Sequence, residues 1–107
     1  MAIPKRFTQF TGDYPEVAAA YDKLGEAVHQ SGPLDDRTRA LVKLAISTGA
    51  RLEGAAHSHV RKAIEAGATV EELRHVVLLA LPTIGLPSMM AAMTWIDDVL
   101  ASPDREV

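Results

Sequence analysis

Residues 50–69 read ARLEGAAHSHVRKAIEAGAT, and two rows run through them at helical spacing. Ala55, Ala56, His59, Val60, Ala63 and Ile64 make an apolar row that holds one histidine. Glu53, His57 and Arg61 follow one another four apart and make a charged row. Residues four apart on an α-helix share a face, about 40° around the axis from each other. The stretch therefore predicts an amphipathic helix from Arg51 to Ala66, with Gly67 as a left-handed stop. Such a helix is stable only when its apolar row is covered, so the rest of the chain must pack on it.

The flanking sequence supplies further helices. Pro15 fits a first helical turn, where its missing amide proton has no partner to lose, and a helix from Pro15 to Gln30 follows. Val17, Ala20, Tyr21, Leu24 and Val28 lie on one face of it. Ser31-Gly32-Pro33 ends it. The next helix starts after Leu34, with Asp35 as cap and Asp36 in the first turn, and ends near Gly49. It is apolar from Ala40 to Ile46 except at Lys43, the pattern of a central helix. Thr69 with Glu72 matches a capping box and opens a fourth helix. Pro82 should break that helix near Leu78, because it removes an amide donor and crowds the carbonyl one turn back. Gly85 and Pro87 open a fifth helix carrying Met89, Met90, Met93, Ile96, Val99 and Leu100, and Ser102-Pro103 ends it. The expected organisation is an N-terminal arm at 1–13, one all-α domain of about five helices at 14–101, and a loose tail at 102–107.

Composition narrows the function classes. The 107 residues are 48% hydrophobic with a net charge of -3, and both signs are interspersed, so there is no basic stripe for nucleic acid. The longest apolar run, Val76 to Leu81, is far short of the roughly 20 residues of a membrane span. MAIPKRF has no apolar signal core, and a cytoplasmic location is expected. With no cysteine, disulfides and every thiol mechanism are excluded. A chain this short buries only about two thirds of its unfolded surface. Its most apolar helices are therefore expected to meet a second copy of the chain.

The sequence blocks carry a family resemblance. TGDYPEVAAAYDKLGEAV, GPLDDRTRALVKLAIS, the helix described first, and EELRHVVLLALPTIGLPSMMAAMTWIDDVL follow one another in the order and spacing of the carboxymuconolactone decarboxylase family. The resemblance implies an alkylhydroperoxidase D-like helical bundle and a homo-oligomer built from symmetric dimers, as a trimer of dimers (a hexamer). The peroxidase-like members carry C-x-x-C-x-x-x-H in the signature helix. Placing that histidine on His59 puts Leu52 and Ala55 at the two cysteine positions and Ala40 at the relay glutamate. The frame is present without its redox pair, which excludes thiol peroxidase chemistry. The decarboxylase branch does not rely on the cysteines, and its substrate is a small, multiply carboxylated lactone. The resemblance thus implies a cofactor-free lyase acting on a small carboxylated molecule. A non-catalytic oligomeric module derived from the same fold, binding a small molecule or only assembling, is the alternative.

The candidate catalytic residues are His59, His57 and Glu53. Imidazole titrates near neutral pH, so either histidine suits proton transfer, and Arg51, Lys43 or Arg61 suits a carboxylate. No cofactor fingerprint is present. His57 and His59 are two apart, point in different directions and cannot bind one metal from a straight helix; a metal here would have to recruit His75, His29 or a second subunit. Each residue also has a plain structural role. A histidine at a helix interface is more often structural than catalytic, and Glu53 with His57 is the common form of a surface pair. The methionines with Trp95 fit a core or a subunit interface as well as a pocket. The rows predict that His59 faces the interior cleft between the Leu34–Gly49 and Arg51–Ala66 helices, and that His57 meets water.

Overall fold

A computed structural model describes residues 4–101, and all regular structure among them is helical. Seven segments follow in order: α1 Lys5–Asp13, α2 Pro15–His29, α3 Asp36–Gly49, α4 Glu53–Glu65, α5 Val70–Leu78, α6 Leu81–Ile84 and α7 Leu86–Leu100. The expected tail at 102–107 and the first three residues of the expected arm lie outside the described residues. The all-α expectation holds, with two additions. Lys5–Asp13 is a helix rather than an irregular arm, because Pro4 sits at its N-cap position, where it breaks nothing, and Gly12 is accommodated within its last turn. The turn after Leu78 re-forms as the four-residue α6.

The chain divides at Leu34/Asp35 into two compact units, where the sequence predicts one domain over 14–101. In the first unit, α1 and α2 are joined through a run of tilted aromatic contacts, Phe7 to Phe10 to Tyr14, with ring centroids 6.4 and 5.9 Å apart. Neither helix has a buried residue. The apolar face of α2 is present, but Val17, Tyr21, Leu24 and Val28 are all exposed.

The second unit holds the core. Leu44 from α3, Val60 and Ala63 from α4, Leu73 and Val77 from α5, and Met89, Ala92, Ile96 and Val99 from α7 form one buried cluster. Local signals place these helices. Asp35 accepts from the Thr38 amide at 2.8 Å and caps α3. Hydrogen bonding to Thr38, first with its side chain and then with its amide, holds the Asp35 carboxyl below the usual aspartate value. Thr69 and Glu72 close a reciprocal capping box at the start of α5, with bonds of 2.9 and 3.1 Å. Thr69→Ala removes one of these bonds and should destabilise the protein by about 1 kcal/mol in urea denaturation. Arg37 at the start of α3 pairs with the same Glu72.

The α3–α4 connection differs from expectation. Arg51 is not helical; it takes a left-handed φ of 60°, and α4 starts two residues later. The Leu52 amide donates to the Ser47 carbonyl and the Arg51 amide to the Thr48 carbonyl, which is the Schellman ending of a helix with arginine in the usual glycine place. Gly67 ends α4 by the same motif at φ 96°, as its sequence predicts. Arg51 Nη1 then donates to Ser88 Oγ at 2.5 Å, tying the turn to the first residues of α7.

Candidate functional site

The helix α4 presents three faces to three surroundings. Ala56, Val60 and Ala63 are buried in the core. His59 lies to one side of that row and His57 to the other, both half-buried. The pattern on α3 is similar. Leu44 and Ser47 face the core, Arg39 and Lys43 are one turn apart on a second face, and Val42, Ala45 and Gly49 line a third. α3 and α4 pack directly on each other.

His59 sits in this α3–α4 seam. Burial pushes its imidazole pKa down from 6.5 to about 4, and the positive charges of Lys62 on α4 and Lys43 on α3 push the same way. Lys43 responds in kind: desolvation, then Lys62, then Arg39, hold its ammonium below the usual lysine range. A half-buried neutral imidazole therefore sits among cationic side chains from two helices. The expectation that His59 faces α3 agrees with this placement. Lys62 is exposed, yet its charge is felt at His59. Lys43 is identifiable in the sequence as the lone polar residue of the apolar run Ala40 to Ile46, whereas its approach to His59 depends on the packing of α3 on α4.

The lowered pKa has a consequence for stability. The folded chain takes up the His59 proton near pH 4 and the unfolded chain near 6.5. Both forms are neutral above 6.5, so the stability present there is lost as pH falls from 6.5 through 4. His59→Gln should flatten this part of a stability-versus-pH curve measured by urea denaturation.

His57 and Glu53 belong to a different surrounding. His57 Nε2 lies 3.1 Å from Asp98 Oδ2 on α7, and the His57 side chain is only 25% exposed. Glu53 reaches the same group. The charged row thus does not simply meet water; α7 covers its middle, because the α4 core row and the α7 core row bring these edges together. The three candidate residues are split, His59 toward α3, and His57 and Glu53 toward α7. Arg51 is held by Ser88. No sequence signal singles out Asp98, which lies two residues beyond the core residue Ile96 in the pair Asp97-Asp98.

A separate apolar groove of about 360 Å³ runs between α3, α5 and α6, lined by Leu41, Val42, Ala45, Val76, Leu79, Ala80 and Ile84 with Thr38, Thr48, Gly49 and Thr83. None of the candidate residues lines it.

A sequence model of the carboxymuconolactone decarboxylase family matches residues 15–98. The chain belongs to this family. The fold agrees with that of a family member of known structure, an apo carboxymuconolactone decarboxylase family protein from Legionella pneumophila. The two superpose with a TM-score of 0.75 at 25% identity, over 89% of this chain and 85% of that one. An uncharacterized protein of Haemophilus influenzae is 33% identical over 61 residues, which are 57% of this chain and 54% of that relative. The chain thus matches about half the length of that curated relative. This member has no cysteine, and so no C-x-x-C pair. No helix among the described residues is long and apolar enough to cross a membrane.

Proposed function

We propose that this chain binds a small carboxylated molecule at the α3–α4 seam and acts on it as a cofactor-free, decarboxylase-like lyase, with His59 handling the proton. One observation carries this reading: a neutral imidazole set among Lys43 and Lys62. Two cations, Lys43 half-buried and Lys62 exposed, beside an uncharged hydrogen-bonding group favour an anion, and a carboxylate satisfies both kinds of group at once. The free site holds His59 unprotonated. A bound carboxylate offsets the two lysines and moves the imidazole pKa back toward neutrality. His59 then becomes a proton donor when substrate is present. As the carbon–carboxylate bond breaks, its electron pair passes into the conjugated carbonyl of the substrate. Carbon dioxide leaves, the electron pair comes back from the enolate to the carbon that carried the carboxylate, and protonated His59 gives its proton there and is recharged from solvent.

The test is carbon dioxide release from a panel of small lactones bearing one to three carboxylates, with His59 followed by NMR. Turnover together with a raised His59 pKa in the bound state supports the reading. Failure of every carboxylate to shift the His59 resonances removes it. The same protein is expected to consume no hydroperoxide with a dithiol reductant, since nothing replaces the nucleophilic thiolate.

The second reading, an assembly module without catalysis, is favoured by a different observation. Val42 and Ile46 on α3, the helix read from the sequence as central, are 41% and 64% exposed, and Leu79 at the end of α5 and Met90 on α7 are each 56% exposed. A second copy of the chain is the natural cover for them, through symmetric dimers and a trimer of dimers. Light scattering should then give a mass well above 11.5 kDa.

A further inference from the structure

The side chains of Glu53, His57 and Asp98 bring one ligand atom each to within 4.8 Å of one another. They come from two helices. Glu53 and His57 are one turn apart on α4, and Asp98 is on the facing side of α7. This is more than an acidic patch, because the central member is a half-buried imidazole whose Nε2 lies 3.1 Å from an Asp98 oxygen. The neighbouring Asp97 is engaged differently, by Arg74 at 2.9 Å.

We propose that Glu53, His57 and Asp98 form a binding site for a divalent transition-metal ion of the zinc type. Two carboxylates and one imidazole are the donor types such ions accept, and three protein ligands leave an open position for water or a ligand. Magnesium and calcium fit poorly, since they prefer all-oxygen sets with more ligands. The dimensions agree. Tetrahedral bonds of about 2.0–2.1 Å place ligand atoms about 3.3 Å apart. The His57–Asp98 separation already matches, and Glu53 is exposed and can swing in by the remaining ångström or so. On binding, the proton that Nε2 donates to Asp98 is released, the ion takes the freed Nε2 lone pair, and the neutral ring carries its proton on Nδ1. The site lies on the α7 side of α4, away from the α3 seam, so this inference does not depend on the reading of His59.

Isothermal titration of the full chain with zinc chloride in metal-stripped buffer tests it, with the histidine ring resonances followed by NMR. One equivalent should bind and shift the His57 ring signals. His57→Ala and Asp98→Asn should each weaken binding by at least about tenfold, in line with the loss expected when a metal's supporting contacts are removed. His75→Ala, which alters an exposed histidine on α5, should leave binding unchanged. Circular dichroism of Asp98→Asn, a substitution of equal size, confirms that the variant is folded. The proposal is overturned if zinc fails to bind at millimolar concentration, if His57→Ala binds as tightly as the parent, or if His75→Ala abolishes binding.

Discussion

Replacing Ile96 by alanine is expected to lower the stability of the chain by about 2–5 kcal/mol, measured as the shift of a urea denaturation midpoint. Ile96 is completely buried, and its helix α7 packs against α3, α4 and α5 together. The buried cluster around it also contains Leu44, Val60, Leu73 and Val77, one or more from each of those helices. Removing three carbons there leaves a cavity that no single neighbour can fill without leaving its own partners, so the cost falls well above that of a surface change. Ile46→Ala is the informative comparison. Ile46 is as large but exposed within one chain, so its loss should change the stability of an isolated chain by no more than about 0.5 kcal/mol. If a second copy covers α3, the same substitution acts on assembly instead, and the transition becomes dependent on protein concentration. An Ile96→Ala variant as stable as the parent would mean that the described core is not the one that holds the fold.

The helices and their ends were legible because their signals are local. The caps at Asp35 and Thr69, the break near Leu78, the stop at Gly67 and the proline starts of α2 and α7 each depend on a few adjacent residues. Helix α1 was misjudged from the same kind of signal. Pro4 and Gly12 read as breakers, yet proline is harmless ahead of a first turn and the cost of one glycine is small. Arg51 was misjudged for a related reason: the left-handed ending of α3 is normally announced by glycine, and here an arginine occupies it. The candidate site was legible only by halves. The two rows of α4 correctly separate His59 from His57. What each meets depends on the neighbouring helix, and no spacing within α4 encodes that Lys43 of α3 and Asp98 of α7 complete the two surroundings.

His59→Ala is expected to reduce turnover of a responsive carboxylated substrate by about 10²–10⁴-fold, the usual contribution of a positioned acid or base. Lys43→Met separates that role from simple packing. The methionine keeps most of the length and apolar stem of the lysine and removes its charge. Lys43 is one of the charges that lower the His59 pKa, so the variant should titrate His59 above about 4, closer to 6.5, in the free protein. It should also lose affinity for the carboxylate, visible as a raised KM. Burial still depresses the imidazole, so the pKa recovers only in part, and Lys62 continues to push in the same direction. The two variants thus differ in kind: one removes the proton carrier and lowers kcat, the other weakens the anion site and moves upward the pH at which activity falls on the alkaline side, because the protonated imidazole is the donor. Unchanged His59 titration in Lys43→Met would show that α3 does not bring its charge to the imidazole. Unchanged turnover in His59→Ala would end the catalytic reading of the seam, leaving His59 as a packed helix-interface residue in a module whose exposed apolar faces are for assembly.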